Sequence, residues 1–513
     1  MNALAWLGEQ RRIYFENAGV VRDFRAQMRT IKPFLGWVVY LGLIFLVTGI
    51  TYYSISSVQS PAQLQDGLAA LFITLVWLLG ILVSMTTPAL TISSVISEFE
   101  RGSIDLVMSA PVHPKYFFVG KLLSAYRYAW LLLVLGLPFA AVGVVMGGFT
   151  YGQVLQVFYC MSLQALIAGA VGMAVAVLTR KTVNALGQSY AILFLSAFVL
   201  TGAGVLPLMT GAMSGGKEAP FFGLLVPGMC LIALDTHTTI AGFQVPNWIL
   251  ATLFTLGLVR LLLLGAAAGL QFNLSKEIKG LRIGSLIAAF LMSVLMGFTT
   301  NVAGTMGAPM MTGQQLASSF IIASGLALLP VFNYLSCWQF IGERKYLSNG
   351  IFSPRLLLAG TPAGNVPFLA TLFLVSLGGF IGGLILARHR LDAEFIVQIL
   401  WAPAFWLFFI GLGWWSSIIN KISAQTARRL QGAILVIVIA VVSVVLGFVQ
   451  AGFPNQNIMG AIHPLAGAAS HDPFISLIHT VTYAILGAIL LWTGELKRRQ
   501  IIQDSYGRTP AQR

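Results

Sequence analysis

Long apolar runs separated by short polar breaks cover almost the whole chain. A membrane span needs about 20 apolar residues, so the run lengths predict twelve spanning helices. The first six are predicted at 34–54, 68–96, 115–147, 152–178, 186–210 and 245–271, and the second six at 283–300, 314–341, 364–387, 395–419, 431–451 and 474–494. The pattern therefore predicts an all-α polytopic membrane protein.

The polar breaks recur in the same order in the two halves of the chain. Each half opens with a basic lead-in (29–32 and 276–282) and has a Pro/Gly-rich stretch before its sixth span (near 211–244 and 452–473). Six spans per half predict two parallel repeats, because both halves then start on the same side of the membrane. The predicted domains are an amphipathic cytoplasmic interfacial helix at 1–33, six-span domains at 34–272 and 273–496, and a cytoplasmic tail at 497–513.

Composition and charge distribution narrow the class further. The chain is 57% hydrophobic and 9% charged, whereas soluble domains carry about 25% charged residues. On the predicted spans, 26 of the 30 Lys and Arg residues fall on the side of the amino terminus. This bias predicts that both termini are cytoplasmic in a multi-pass protein of the plasma or inner membrane. The net charge of +14 is thus an orientation signal, and no nucleic-acid partner is predicted. Arg388 and Arg390, on the predicted outside, are a local conflict.

The strongest candidate site is the polar segment 97–111, between the second and third predicted spans. Acids open it, an apolar face follows (Ile104, Val107, Met108), and Pro111 ends it. We expect its acids at the positive amino end of a short helix. An apolar face that leaves the lipid predicts a protein partner. The alternative is an ordinary polar loop whose acids only cap a helix.

With this segment the chain resembles the permeases of type 2 ABC exporters (ABC-2). The resemblance rests on a charged start, a leucine, a proline end and a later Gly-Lys pair: Glu98, Glu100, Arg101, Gly102, Ser103, Leu106, Ser109, Pro111, Gly120 and Lys121. It implies two permease domains fused in one chain, each with an interfacial helix and a coupling helix. It also implies that two copies of a separate ABC ATPase dock near 97–111 and 343–362 and drive export.

The second half carries the pattern less completely. Its coupling element is longer, and Pro354 interrupts it. By the resemblance, the residues that couple to the ATPase are Glu98, Glu100, Arg101, Gly102, Ser103, Asp105, Leu106 and Pro111 in the first half, and Glu343, Arg344, Thr361 and Pro362 in the second.

The sequence carries no phosphate loop of the form G-x-x-x-x-G-K-[ST]. The nearest string, 211–218, ends in Glu218 where a hydroxyl must reach Mg²⁺. The chain is therefore predicted not to be an enzyme by itself and to bind no cofactor, with ATP and Mg on the partner ATPase. No catalytic residue or metal site is predicted, because the cysteines and the histidines are widely spaced.

Arg260 lies near the middle of the sixth predicted span and is a possible intramembrane functional charge. The alternative is a buried arginine paired for structural reasons alone. Gly379 and Gly383 have the spacing of a close helix contact, but among 53 glycines such a match is expected by chance.

Two other functions remain open. An ion-coupled secondary transporter needs acidic residues at mid-membrane, and none of the 16 acids lies within a predicted span. A non-transporting membrane assembly factor needs no ATPase. The transported substrate is unknown, although nearly charge-free walls favour an amphipathic cargo.

Overall fold

Long helices make up nearly all of the structure. The computed structural model describes residues 18–29, 31–56, 61–104, 114–145, 150–194, 196–197, 224–225, 230, 236–240, 243–270, 275–299, 320, 324, 353–358, 364–386, 399–419 and 473–506. Within these ranges, eight helices are long and apolar enough to cross a membrane. They confirm a multi-pass, predominantly helical membrane protein and eight of the twelve predicted spans.

The chain divides into two compact units, Met1–Phe272 and Asn273–Arg513. The helices of unit 1 are α1 (Ala18–Met28), α2 (Ile31–Ser56), α3 (Pro61–Glu100), α4 (Pro114–Val145), α5 (Tyr151–Thr179) and α6 (Asn247–Leu270). Residues 182–194 are also helical, in the region of the predicted fifth span. The helices of unit 2 are α7 (Ser275–Thr299), α8 (Asn365–Leu386), α9 (Trp401–Ile419) and α10 (Pro473–Tyr506).

A small β-hairpin departs from the all-α prediction. Strands β1 (His237–Ile240) and β2 (Phe243–Pro246) pair antiparallel in the Pro/Gly-rich stretch before α6. Asn247, which begins α6, is fully buried and donates from Nδ2 to the Thr236 hydroxyl at 2.7 Å. The two strands satisfy each other's backbone N–H and C=O groups. The length of the apolar runs had predicted only a polar break between spans at this place.

Contacts along α2 and α4 show that these two helices run parallel. The Tyr40 hydroxyl donates to the Leu132 carbonyl at 2.7 Å, and one turn earlier the rings of Trp37 and Tyr128 stack 6.2 Å apart. Residue numbers rise together in both pairs.

The helices α3, α5 and α6 also run parallel to one another. A Cβ at Gly172 of α5 would lie only 2.8 Å from Pro88 of α3, and further along, the Arg180 guanidinium lies 5.2 Å from the Phe99 ring centroid. The Tyr159 and Thr252 hydroxyls lie 2.6 Å apart, and further along both helices Val175 and Ala266 share one core cluster, so α6 runs in the same direction as α5. The core of unit 1 lies where α3, α4, α5 and α6 meet, around Ile92, Val95, Phe118, Leu122, Val175 and Ala266.

Parallel pairs recur in unit 2. Helix α7 runs parallel to α8, with Arg282 beside Asn365 and Phe290 beside Gly379. Helix α9 runs parallel to α10, with Trp401 beside Tyr483 and Trp414 against Gly494.

The glycine spacing in α8 was wrongly assigned to chance. A Cβ at Gly379 would lie 2.8 Å from the Phe290 carbonyl oxygen, and one at Gly383 would lie 2.6 Å from that of Val294. These two positions let the backbones of α7 and α8 approach closely, as small residues do between membrane helices.

The remaining boundary predictions divide into three groups. Two predicted spans, 314–341 and 431–451, lie almost wholly outside the described residues, and the short helix α9 stands where 395–419 was predicted. The tail predicted at 497–513 begins instead as the last turns of α10, which continues to Tyr506. Of the predicted interfacial helix 1–33, the described part is α1 and the start of α2.

Candidate functional site: the ion network at the end of α3

A buried lysine joins three helices at one end of unit 1. Lys121 of α4 is 5% exposed, and its Nζ lies 2.8 Å from Glu98 Oε1 of α3 and 2.9 Å from Asp23 Oδ2 of α1. Both carboxylates are mostly buried as well. A buried charge is tolerated only when it is paired. Glu98, Asp23 and Lys121, here called the ion network, therefore fasten α1, α3 and α4 to one another.

The end of α3 is shaped by Gly102 and Ser103. Gly102 has φ +66°, a left-handed conformation that favours glycine, and its N–H donates to the Phe99 carbonyl at 3.2 Å. The Ser103 hydroxyl contacts both the Glu98 carboxylate and the Glu98 carbonyl. Ser103 and Ile104 are helical again, so the polar segment 97–111, here called the candidate coupling segment, begins in the last turn of α3 and bends at Gly102.

For Glu98 and Glu100, the predicted position at the positive amino end of a helix was wrong. Glu98 and Glu100 lie in the last turn of α3, at the negative end of its dipole, and not at the amino end of a new helix. The charge of Glu98 is held by Lys121 from α4, an interaction between residues that are 23 positions apart.

Two charged side chains point away from this network. Glu100 and Arg101 are both exposed, so they are open to a partner. Ile104 was predicted on the partner-binding face, but it is 8% exposed and packs within the protein. Asp105, Leu106, Val107, Met108 and Pro111 lie outside the described residues.

Unit 2 has a buried cation in a different setting. Arg282 of α7 is fully buried; Nη1 donates to the Leu357 carbonyl at 2.7 Å and Nη2 to Asn365 Oδ1 at 2.6 Å. Its guanidinium also lies 5.2 Å from the Phe368 ring centroid, within cation–π range. Arg282 thus ties the loop after Pro354 to the start of α8.

Sequence reasoning missed Asp23 and Arg282. Asp23 is the one acid between residues 17 and 65, and Arg282 is the last basic residue before a long apolar run; those were the available signals. The second predicted coupling residues, Glu343, Arg344, Thr361 and Pro362, lie outside the described residues.

Arg260 lies within α6, as predicted, but its side chain is exposed, which does not fit the alternative of a buried arginine paired for structural reasons. The same face carries Leu253, 64% exposed, and Leu256, 54% exposed, whereas Val259 and Leu263 point into the core. A helix that is apolar all round gives no sequence signal for which face is buried.

The described residues contain no group of three or more His, Cys, Asp and Glu side chains that could hold a metal ion. Of the three histidines in or near the second Pro/Gly-rich stretch, His463, His471 and His479, the last is described, and it lies 6.3 Å from Tyr483 between ring centroids. Comparison of the chain with family models, with curated proteins and with solved structures finds no match.

Proposed function

We propose that this chain is the permease of an ATP-driven exporter, with ATP hydrolysed by a separate ABC ATPase subunit. The observation that carries the proposal is the position of the ion network. Glu98 lies in the last turn of α3, where the candidate coupling segment begins. Lys121 and Asp23 join that turn to α4 and α1. A displacement applied at Glu100 and Arg101 is therefore passed to three helices at once.

The helix pairing supports two related permease domains. In unit 1 the first and third predicted spans (α2, α4) are parallel, as are the fourth and sixth (α5, α6). In unit 2 the corresponding pairs are α7 with α8 and α9 with α10. Equal pairing in the two units is what a parallel six-span repeat requires.

The distribution of acids argues against ion-gradient coupling. Such coupling uses carboxylates within the membrane, and the 16 acids of the chain all lie outside the predicted spans. The export direction, the two ATPase copies and a location in the plasma or inner membrane follow from the family resemblance and from the positive-inside bias.

Purification of a tagged chain from its own membranes tests the proposal. We expect a subunit with a G-x-x-x-x-G-K-[ST] phosphate loop to co-purify in a two-to-one ratio. The complex should hydrolyse ATP, and the chain alone should not. Hydrolysis by the isolated chain, with contaminants excluded, or the lack of any such subunit in the native complex, would contradict the assignment.

A further inference from the structure

Arg260 carries a charge into the middle of the membrane on an exposed face. It is 13 residues from the first residue of α6 and 10 from the last, which is about 20 Å and about 15 Å along the axis. The register of α5 against α6 supports this depth, because α5 extends well beyond the level of Arg260 in both directions.

Neither the described residues nor the predicted spans offer a carboxylate at that depth. Among the described residues Arg260 makes no hydrogen bond or ion pair, and none of the 16 acids lies in any predicted span of either unit. A second copy of the chain would bring the same sequence and the same lack of acids. An arginine at mid-membrane is costly unless it is paired, and a counter-charge from another molecule fits these observations.

The surroundings of Arg260 define the shape of that molecule. Leu256 and Leu253 lie one and two turns away on the same exposed face, and at Gly257 a Cβ would meet nothing within 4 Å. A cation beside an apolar, open strip matches a molecule with an acidic head and an apolar tail.

We propose that Arg260 binds the acidic head of an anionic amphipath within the membrane, with the apolar tail along Leu253 and Leu256. The head is a carboxylate or a phosphate, and both are recognised by the guanidinium fork. That the bound molecule is the exported cargo rests on the proposed function, whereas the binding itself does not.

Binding of a fluorescent fatty acid and of its methyl ester to the purified chain tests this site. The probes are parinaric acid above pH 8 and its neutral ester, offered to the chain in phosphatidylcholine nanodiscs. The two probes share one tail, so their affinity ratio isolates the charge. We expect the acid to bind about tenfold more tightly than the ester to the native chain.

Arg260→Gln should abolish that preference, Arg260→Lys should keep part of it, and Arg127→Gln should leave it unchanged. Arg127 is a matched control because it is also an exposed arginine on a predicted span, but it lies only six residues from Lys121, about 9 Å along α4. Competition by phosphatidylglycerol would identify a phosphate head, and no competition would identify a carboxylate.

Equal affinity for acid and ester in the native chain, or the same preference in Arg260→Gln, would overturn the proposal. Size-exclusion profiles and the Arg260→Lys variant separate loss of binding from loss of folding. The assay contains no ATPase, so its outcome is independent of whether the exporter assignment holds.

Discussion

Two buried cations, Lys121 in unit 1 and Arg282 in unit 2, lie near the starts of their helices, but different groups satisfy them. Lys121 meets two carboxylates, Glu98 and Asp23. Arg282 meets a carbonyl, an amide oxygen and an aromatic ring, and its buried Nε–H has no hydrogen-bond partner among the described residues.

The first cation holds its helices together by attraction between full charges, and the second by directional hydrogen bonds to neutral groups. Attraction between full charges depends weakly on angle and acts over several ångströms, so the ion network tolerates small movements of α1, α3 and α4. Hydrogen bonds to neutral acceptors weaken steeply when they are bent, so the Arg282 contacts fix one geometry. On this comparison, the ion network suits an element that moves during the proposed transport cycle, and Arg282 suits one that stays in place.

Removal of the lysine charge should give the largest effect. Lys121→Met leaves the mostly buried Glu98 without its cation and Asp23 with only the exposed Arg22. Breaking a buried pair costs about 3–5 kcal/mol of unfolding free energy. The midpoint of heat-induced loss of the monodisperse peak, measured on the purified chain, should fall accordingly. Lys121→Met combined with Glu98→Gln and Asp23→Asn should recover most of the loss, and a triple variant as unstable as the single one would break the charge account.

Exchanges between lysine and arginine sharpen the comparison. Lys121→Arg should keep most of the stability, because a guanidinium also pairs with carboxylates. Arg282→Lys should cost about 1–3 kcal/mol, since an ammonium in that place leaves Leu357 or Asn365 without a donor. The same thermal assay measures both. Full stability of Arg282→Lys would show that the positive charge, and not the directional hydrogen bonds of the guanidinium, stabilises this contact.

A pair of glycine substitutions should give the smallest stability effects, with opposite signs. Gly102→Ala places a side chain at φ +66°, which costs about 1–2 kcal/mol. At Gly280, within α7, a Cβ would meet nothing within 4 Å, so Gly280→Ala should stabilise by roughly 0.5–1 kcal/mol. A neutral Gly102→Ala would mean that the exit from α3 does not depend on the left-handed turn.

Apolar run length predicted eight of the spans because the bilayer itself imposes it. It did not predict that α3 continues through Glu98 to Glu100, since the Glu98 charge is stabilised by Lys121 on another helix. Run length also predicted that Arg260 lies near the middle of a span. It did not predict which side of the helix is buried, because a helix that is apolar on all sides has no distinct buried face. The contacts of Arg282 join residues 75 and 83 positions apart, and no local pattern encodes them.

Capture of the ATPase by charge-reversed chains tests the central claim most directly. Glu100→Lys combined with Asp105→Lys should weaken docking, with a cost of about 2–5 kcal/mol if the charges meet partners in a buried interface. Insertion and thermal stability should stay intact, because Glu100 is exposed. Glu343→Lys should lose less ATPase, since the second coupling element departs from the family pattern. Full retention of the ATPase by the double variant, or a larger loss from Glu343→Lys alone, would contradict docking on the segment that the ion network anchors.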